Sequence, residues 1–116
     1  MTTAPPKLTG PVRLVMDVLI SSTVEDEDIW GLRICERTHL GPGTVYPILE
    51  RLQRAGWVTS AKEPGQPSGR PPRRYYQVTA AGRVEYGAAL QAQRTRLSRW
   101  ISATESIAHR PRGNPA

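Results

Sequence analysis

Cysteine is almost missing from this chain: Cys35 is the only one. A single thiol excludes an intramolecular disulfide and leaves no set of thiols for a structural zinc. Placed between Ile34 and Glu36 in a predicted helix, it reads as a small buried hydrophobe. Apolar residues are also scarce, at 38%, and no apolar run approaches the roughly 20 residues that span a bilayer. A signal-peptide pattern is lacking at the start. The expectation is a soluble, cytoplasmic protein with no membrane partner. His39 and His109 are far apart in sequence and distant from carboxylate clusters, so neither a metal nor another cofactor is expected. Nor do the residues assemble a nucleophile–base pair or a phosphate-binding loop, which argues against an enzyme.

What is present is basic. The 116 residues carry a formal net charge of +6, and the length suits one domain. Carboxylates cluster at Glu25, Asp26, Glu27 and Asp28 and are absent from Gly65 to Arg83, a stretch that contains Arg70, Arg73, Arg74 and Arg83. Arginines grouped in this way attract polyanions, because each phosphate contact releases condensed counterions. Nucleic acid is the leading partner.

Periodicity then orders the chain. Residues 1–8, with Pro5 and Pro6, read as a flexible arm. Thr9 and Pro11 announce a first helix, with Val12, Val15, Met16 and Leu19 at helical spacing and a second apolar stripe at Leu14 and Val18. Two stripes imply either a fully buried helix or an additional partner. After the acidic break a second helix is predicted from Ile29 to Thr38, then a tight turn from His39 to Gly43. The third helix is predicted from Thr44 to Ala55, with Thr44 as cap. Val45, Ile48, Leu49 and Leu52 share one face of it, while Tyr46, Glu50, Arg51 and Arg54 face outward. With that cap, Pro47 falls on the third helical site, whose N–H has no helical partner to lose. Gly56 is the left-handed stop. Strands follow at Trp57 to Lys62 and Arg74 to Thr79, around a hairpin tip from Glu63 to Arg73. A last helix runs from near Thr79 to about Ser106, with a seam of Gly87, Leu90, Arg94, Leu97 and Ile101. The Pro, Gly and Arg residues from His109 onward read as a disordered tail.

Helix, helix, turn, helix, strand, basic loop, strand is the order of a mainly α (α+β) winged helix-turn-helix fold. A helix fits the major groove, and an arginine-bearing hairpin reaches the neighbouring backbone or minor groove. Gly41, Pro42 and Gly43 would let backbone N–H groups approach phosphate at the positive end of the helix dipole.

The block Gly43-Thr44-Val45-Tyr46-Pro47, continuing through Leu49-Glu50-Arg51-Leu52 to Gly56-Trp57-Val58, resembles the recognition-helix signature of the PadR family of transcriptional regulators. A second block, Gly69-Arg70-Pro71-Pro72-Arg73-Arg74-Tyr75-Tyr76-Gln77-Val78-Thr79 followed by Ala80-Ala81-Gly82-Arg83, resembles that family's wing and the start of its last helix. The likeness covers roughly residues 12 to 101. Ile29-Trp30-Gly31-Leu32 departs from the His-Gly-Tyr-like segment common at the start of the family's second helix.

The resemblance implies a repressor that binds double-stranded DNA at a pseudo-palindromic operator as a homodimer, of the branch with one C-terminal helix. Residues 9–79 would be the DNA-binding domain, 80–106 the dimerisation helix and 107–116 the tail. The candidate DNA-binding set is Gly43, Thr44, Val45, Tyr46, Pro47, Arg51, Arg70, Arg73, Arg74 and Tyr75. Thr44 could instead only cap, Tyr46 only pack on the wing, and Arg51 pair with Glu50. The dimer interface would use Leu14, Val18, Leu90, Leu97, Trp100 and Ile101. In this branch interface aromatics can line a cavity for a small, flat, apolar effector, which makes Trp100 its candidate wall, although packing is the commoner role. The alternatives are a winged-helix module for protein–protein interaction and a regulator of another winged-helix family, such as the MarR-like proteins.

Overall fold

Thr9 opens the first helix, α1 (Gly10–Val24), by accepting the Val12 N–H on its side-chain oxygen at 3.3 Å, with Pro11 in the first turn. The computed structural model describes residues 5–65 and 68–108. Val12, Val15, Met16 and Leu19 are buried, whereas Leu14 is exposed and Val18 half-buried, so the first of the two stripes serves the core. Asp26, in the left-handed region at φ 53°, turns the chain out of the helix.

The second helix, α2 (Gly31–Thr38), begins two residues later than its pattern suggested. Ile29 and Trp30 are extended instead. The Ile29 carbonyl accepts the Tyr76 N–H at 2.9 Å, and Trp30 forms an antiparallel bridge with Tyr75. Pairing with the wing satisfies these backbone groups while Ile29 is buried, which outweighs lengthening the helix by two residues.

The third helix, α3 (Pro42–Arg54), starts earlier than predicted, with Gly41 as the cap residue. The Gly41 carbonyl accepts from the N–H groups of Thr44 and Val45, each at 3.0 Å. Thr44 therefore lies inside the helix, and so does Pro47, which removes the donor that would have met the Gly43 carbonyl. Gly43 and Pro47 are both exposed, so the loss falls on the solvent side. The other face buries Val45, Ile48, Leu49 and Leu52 as expected. Gly56 ends the helix at φ 78°. Its N–H donates to the Gln53 carbonyl and that of Trp57 to the Leu52 carbonyl, a Schellman closure.

Strands β1 (Val58–Lys62) and β2 (Arg74–Val78) form the antiparallel wing, with Val58 opposite Val78 and Lys62 opposite Arg74. Tyr76 and Val78 point into the core. Thr79 then caps the last helix, α4 (Ala80–Ala108): its hydroxyl donates to the Gly56 carbonyl at 2.7 Å, and its oxygen accepts the Gly82 N–H at 2.8 Å. A Cβ at Gly82 would lie 2.2 Å from the Trp57 carbonyl oxygen, so α4 starts in backbone contact with the end of α3. Only glycine fits there. Further along, Tyr86 packs edge-on against buried Trp57 and donates to Asp17 Oδ1 at 2.9 Å, pinning α4 to α1. Burial and this hydrogen bond push the Tyr86 phenol up to about 12.

Beyond this anchor α4 leaves the body of the molecule. Residues 94–105 are all exposed, and the radius of gyration is 19.8 Å, against about 13 Å for a compact chain of this length. The predicted arm is tied down at its last residue, where the Leu8 carbonyl accepts from Gln93 at 2.8 Å; residues 1–4 lie outside the described part. The predicted tail likewise lies outside it from His109 onward, since α4 itself runs to Ala108. Cys35 is half-buried against the core, and desolvation pushes its thiol up. No described helix is long and apolar enough to cross a membrane.

The glycine contact yields a paired expectation. Gly82→Ala should lower stability to urea by about 2 kcal/mol or more, because backbone must move to admit the methyl. Gly87→Ala, where nothing lies within 4 Å, should raise it by roughly 0.5–1 kcal/mol, as Ala replaces Gly in a helix. Equal effects at the two sites would dissolve the argument for a close α4 crossing.

Candidate nucleic-acid interface

The wing, the start of α2 and Tyr46 of α3 enclose a groove of about 470 Å³, lined chiefly by Trp30, Leu32, Tyr46, Pro71, Pro72 and Arg73. Each functional side chain there is held in a different way.

Tyr46 is 42% exposed, with its ring laid against the start of α2. A Cβ on Gly31 would sit 2.4 Å from the Tyr46 hydroxyl, so the absence of a side chain at Gly31 admits the ring. The packing partner of Tyr46 is thus the start of α2. Thr44 and Arg51 are exposed on α3. Glu50 is engaged by Arg54 at 2.5 Å rather than by Arg51, which has no carboxylate partner among the described residues. Val45 is fully buried and belongs to the core. It leaves the candidate contact set, because the face that carries it is the one that packs on α1 and α2. Gly43 and Pro47 remain on the exposed side.

In the wing, one carboxylate organises the arginine loop. Glu63 receives two parallel hydrogen bonds from Arg70, both 2.8 Å, along with the Arg73 N–H at 3.2 Å and the Tyr75 hydroxyl at 3.1 Å. The Arg70 guanidinium, followed by the Arg73 backbone N–H, holds the Glu63 carboxyl down at about 2. Burial, then the hydrogen bond to Glu63, pushes the Tyr75 phenol up. Arg70 is accordingly neutralised within the hairpin. Arg73 lies instead over the Trp30 ring, 4.0 Å from its centroid. Arg74 donates to Ser60 Oγ at 3.1 Å, and Ser60 donates to Gln53 Oε1 at 2.7 Å, which links the wing to the end of α3. The loop turns through Gly65 and Gly69, both at φ 81°.

The sequence match decides what kind of protein builds this surface: residues 25–88 match the model of the transcriptional regulator PadR-like family. The chain belongs to the PadR-like family of transcriptional regulators. That family's members are DNA-binding transcription regulators and not enzymes. Among solved structures, a PadR-like transcription factor from Bacteroides fragilis is 23% identical with a TM-score of 0.60, over 80% of this chain and 87% of that one. A PadR family regulator from Clostridium difficile R20291 is 21% identical with a TM-score of 0.55, over 80% and 95%. A Streptococcus transcriptional regulator is 19% identical with a TM-score of 0.58, over 87% and 99%. At these identities the likeness establishes the winged-helix fold. No curated protein matches the chain.

The remaining sequence candidates separate. Arg70, Arg73 and Arg74 line the same groove as Tyr46, whereas Tyr75 is turned toward Glu63 and Trp30. Leu97, Trp100 and Ile101 are exposed far along α4, whereas Val18 and Leu90 are half-buried against the PadR-like chain's own core. Sequence reasoning missed Trp30, Glu63, Ser60 and Gln53. Glu63 was legible in principle: it follows Lys62, whose hairpin partner is Arg74, and so faces the start of β2.

The depressed Glu63 pKa sets a pH expectation. A carboxyl lowered from 4.5 to about 2 on folding keeps the wing clasp fully in place above pH 4.5, and the clasp is lost as pH falls toward 2. The Tyr75 ring signals followed by NMR should therefore shift with a midpoint near pH 2 and stay flat across pH 4–5, and Glu63→Gln should abolish the transition. A midpoint near 4.5 would mean that the clasp does not form in solution.

Proposed function

We propose that this PadR-like chain is a cytoplasmic, nucleoid-associated repressor that binds double-stranded DNA sequence-specifically, as a homodimer, at a pseudo-palindromic operator. The observation that carries the reading is an arginine wing that shares one groove with Tyr46 of the exposed α3 face, with Arg51, Arg73 and Arg74 free of carboxylate partners among the described residues. In this reading α3 enters the major groove with Gly43, Thr44, Tyr46, Pro47 and Arg51 toward it. The wing meets the adjacent backbone or minor groove with Arg73 and Arg74. Arg70 contributes to the shape of the wing, because its charge is already met by Glu63.

The dimer is supported by what the single chain leaves uncovered. Leu97, Trp100 and Ile101 are 55%, 64% and 41% exposed on a helix segment that no other described element covers. Apolar side chains on a free-standing helix cost stability and invite aggregation unless a second copy packs against them. Leu14 on α1 is a further exposed apolar side chain. Two copies related by a two-fold axis would present two α3 helices to successive major grooves. Trp100 within such an interface supplies a flat wall for a small apolar effector.

Fluorescence anisotropy with a duplex selected by this protein from a random pool tests the reading. Arg74→Ala should weaken selected and random duplexes alike and reduce the slope of log affinity against log salt by about 1. Tyr46→Phe should reduce the preference for the selected duplex by roughly 2- to 10-fold, the worth of one hydrogen bond. An unchanged slope removes the wing from the interface, and absence of binding even in dilute salt removes the regulator reading. In light scattering, Leu97→Glu with Ile101→Glu should convert a dimer to a monomer; a wild-type monomer would defeat the dimer.

A further inference from the structure

We propose that Trp30 is a positioning residue for DNA binding, which holds the Arg73 guanidinium in one orientation at the groove without neutralising it. The proposal rests on the DNA-binding reading above and assigns a role to the segment where the chain departs from the family's usual pattern.

The argument begins with how the three wing arginines are restrained. Arg70 is fixed by a carboxylate, so its charge is spent inside the hairpin. Arg74 is fixed by a neutral hydroxyl. Arg73 lies on an aromatic face, 4.0 Å from the Trp30 ring centroid. The quadrupole of an indole face attracts a cation yet carries no net charge, so a guanidinium stacked there keeps its full attraction for phosphate. Among the described residues the Arg73 guanidinium makes no hydrogen bond or ion pair, which leaves its N–H groups for a second partner.

Trp30 is itself immobilised, which it must be to position anything. Its backbone bridges Tyr75, the neighbouring Ile29 carbonyl accepts from Tyr76, and its ring meets the Tyr75 ring edge-on at 6.2 Å. The Tyr75 hydroxyl in turn donates to Glu63, which also accepts the Arg73 N–H. Trp30 therefore connects the start of α2 to the wing, and Arg73 is gripped through its backbone by Glu63 and through its head by Trp30. A free arginine loses several rotameric freedoms when it meets a phosphate; one already stacked has lost most of them beforehand. Positioned in this way, Arg73 should bind roughly 3- to 10-fold more tightly than the same residue left free.

The test is a double-mutant cycle on a duplex selected from a random pool, with Trp30→Leu, Trp30→Phe, Arg73→Ala and the Trp30→Leu/Arg73→Ala pair. Trp30→Leu should cost roughly 3- to 10-fold in affinity, Trp30→Phe should recover most of that loss, and in the Arg73→Ala background Trp30→Leu should cost less than about 2-fold. Equal losses in both backgrounds would make Trp30 a structural support of the wing and overturn the proposal. Undiminished binding by Arg73→Ala would overturn it too, while the α3 reading tested through Tyr46 stands. A wild-type protein without duplex affinity would bring down both, which sets that failure apart from the first two.

Discussion

Three parts of the molecule meet at Trp57, and their relative placement depends on that residue. Its N–H closes the C-terminal end of α3 on Leu52, and its carbonyl accepts from Thr79 at the foot of α4. Its ring is buried against Tyr86, and its backbone is where Gly82 makes its closest approach. The helix α3, the wing and the projecting helix α4 are therefore referred to one buried point. A shift there would move all three, since a packed interior transmits displacement rather than absorbing it.

From that point outward the structure changes in character. Around α1, α2 and α3 the side chains interlock as one apolar cluster, and Tyr86 fixes the base of α4 through Asp17. At the wing, order comes from polar and aromatic contacts: the Glu63 clasp, the Trp30 and Arg73 stack, and the relay from Arg74 through Ser60 to Gln53. Such contacts are individually weak at a surface. Their value lies in direction, because they decide which arginines keep an unmatched charge and where those charges point.

The far half of α4 follows a third rule. It carries exposed Leu97, Trp100 and Ile101 with no intrachain cover among the described residues. A helix of this kind leaves apolar surface without cover from its own chain, which is the surface the proposed homodimer would bury. The same geometry divides the dimer candidates, since Val18 and Leu90 are already partly used by the monomer core.

The fold was legible in the sequence because it rests on local rules. Apolar spacing put Val45, Ile48, Leu49 and Leu52 on one buried face, and Gly56 marked a left-handed stop. The basic wing was legible from composition. Helix boundaries were less so: α2 begins at Gly31 because Ile29 and Trp30 pair with β2, and α3 begins at Pro42 because the Gly41 carbonyl takes the first helical bonds. The division of labour among Arg70, Arg73 and Arg74 was not legible at all. It depends on Glu63, which meets Arg70 and Arg73 once the hairpin has closed, and on Trp30, which meets Arg73 only once the wing has docked beside α2. Periodicity reports which face of an element is apolar; which charge meets which partner is decided by distances that only the folded chain sets.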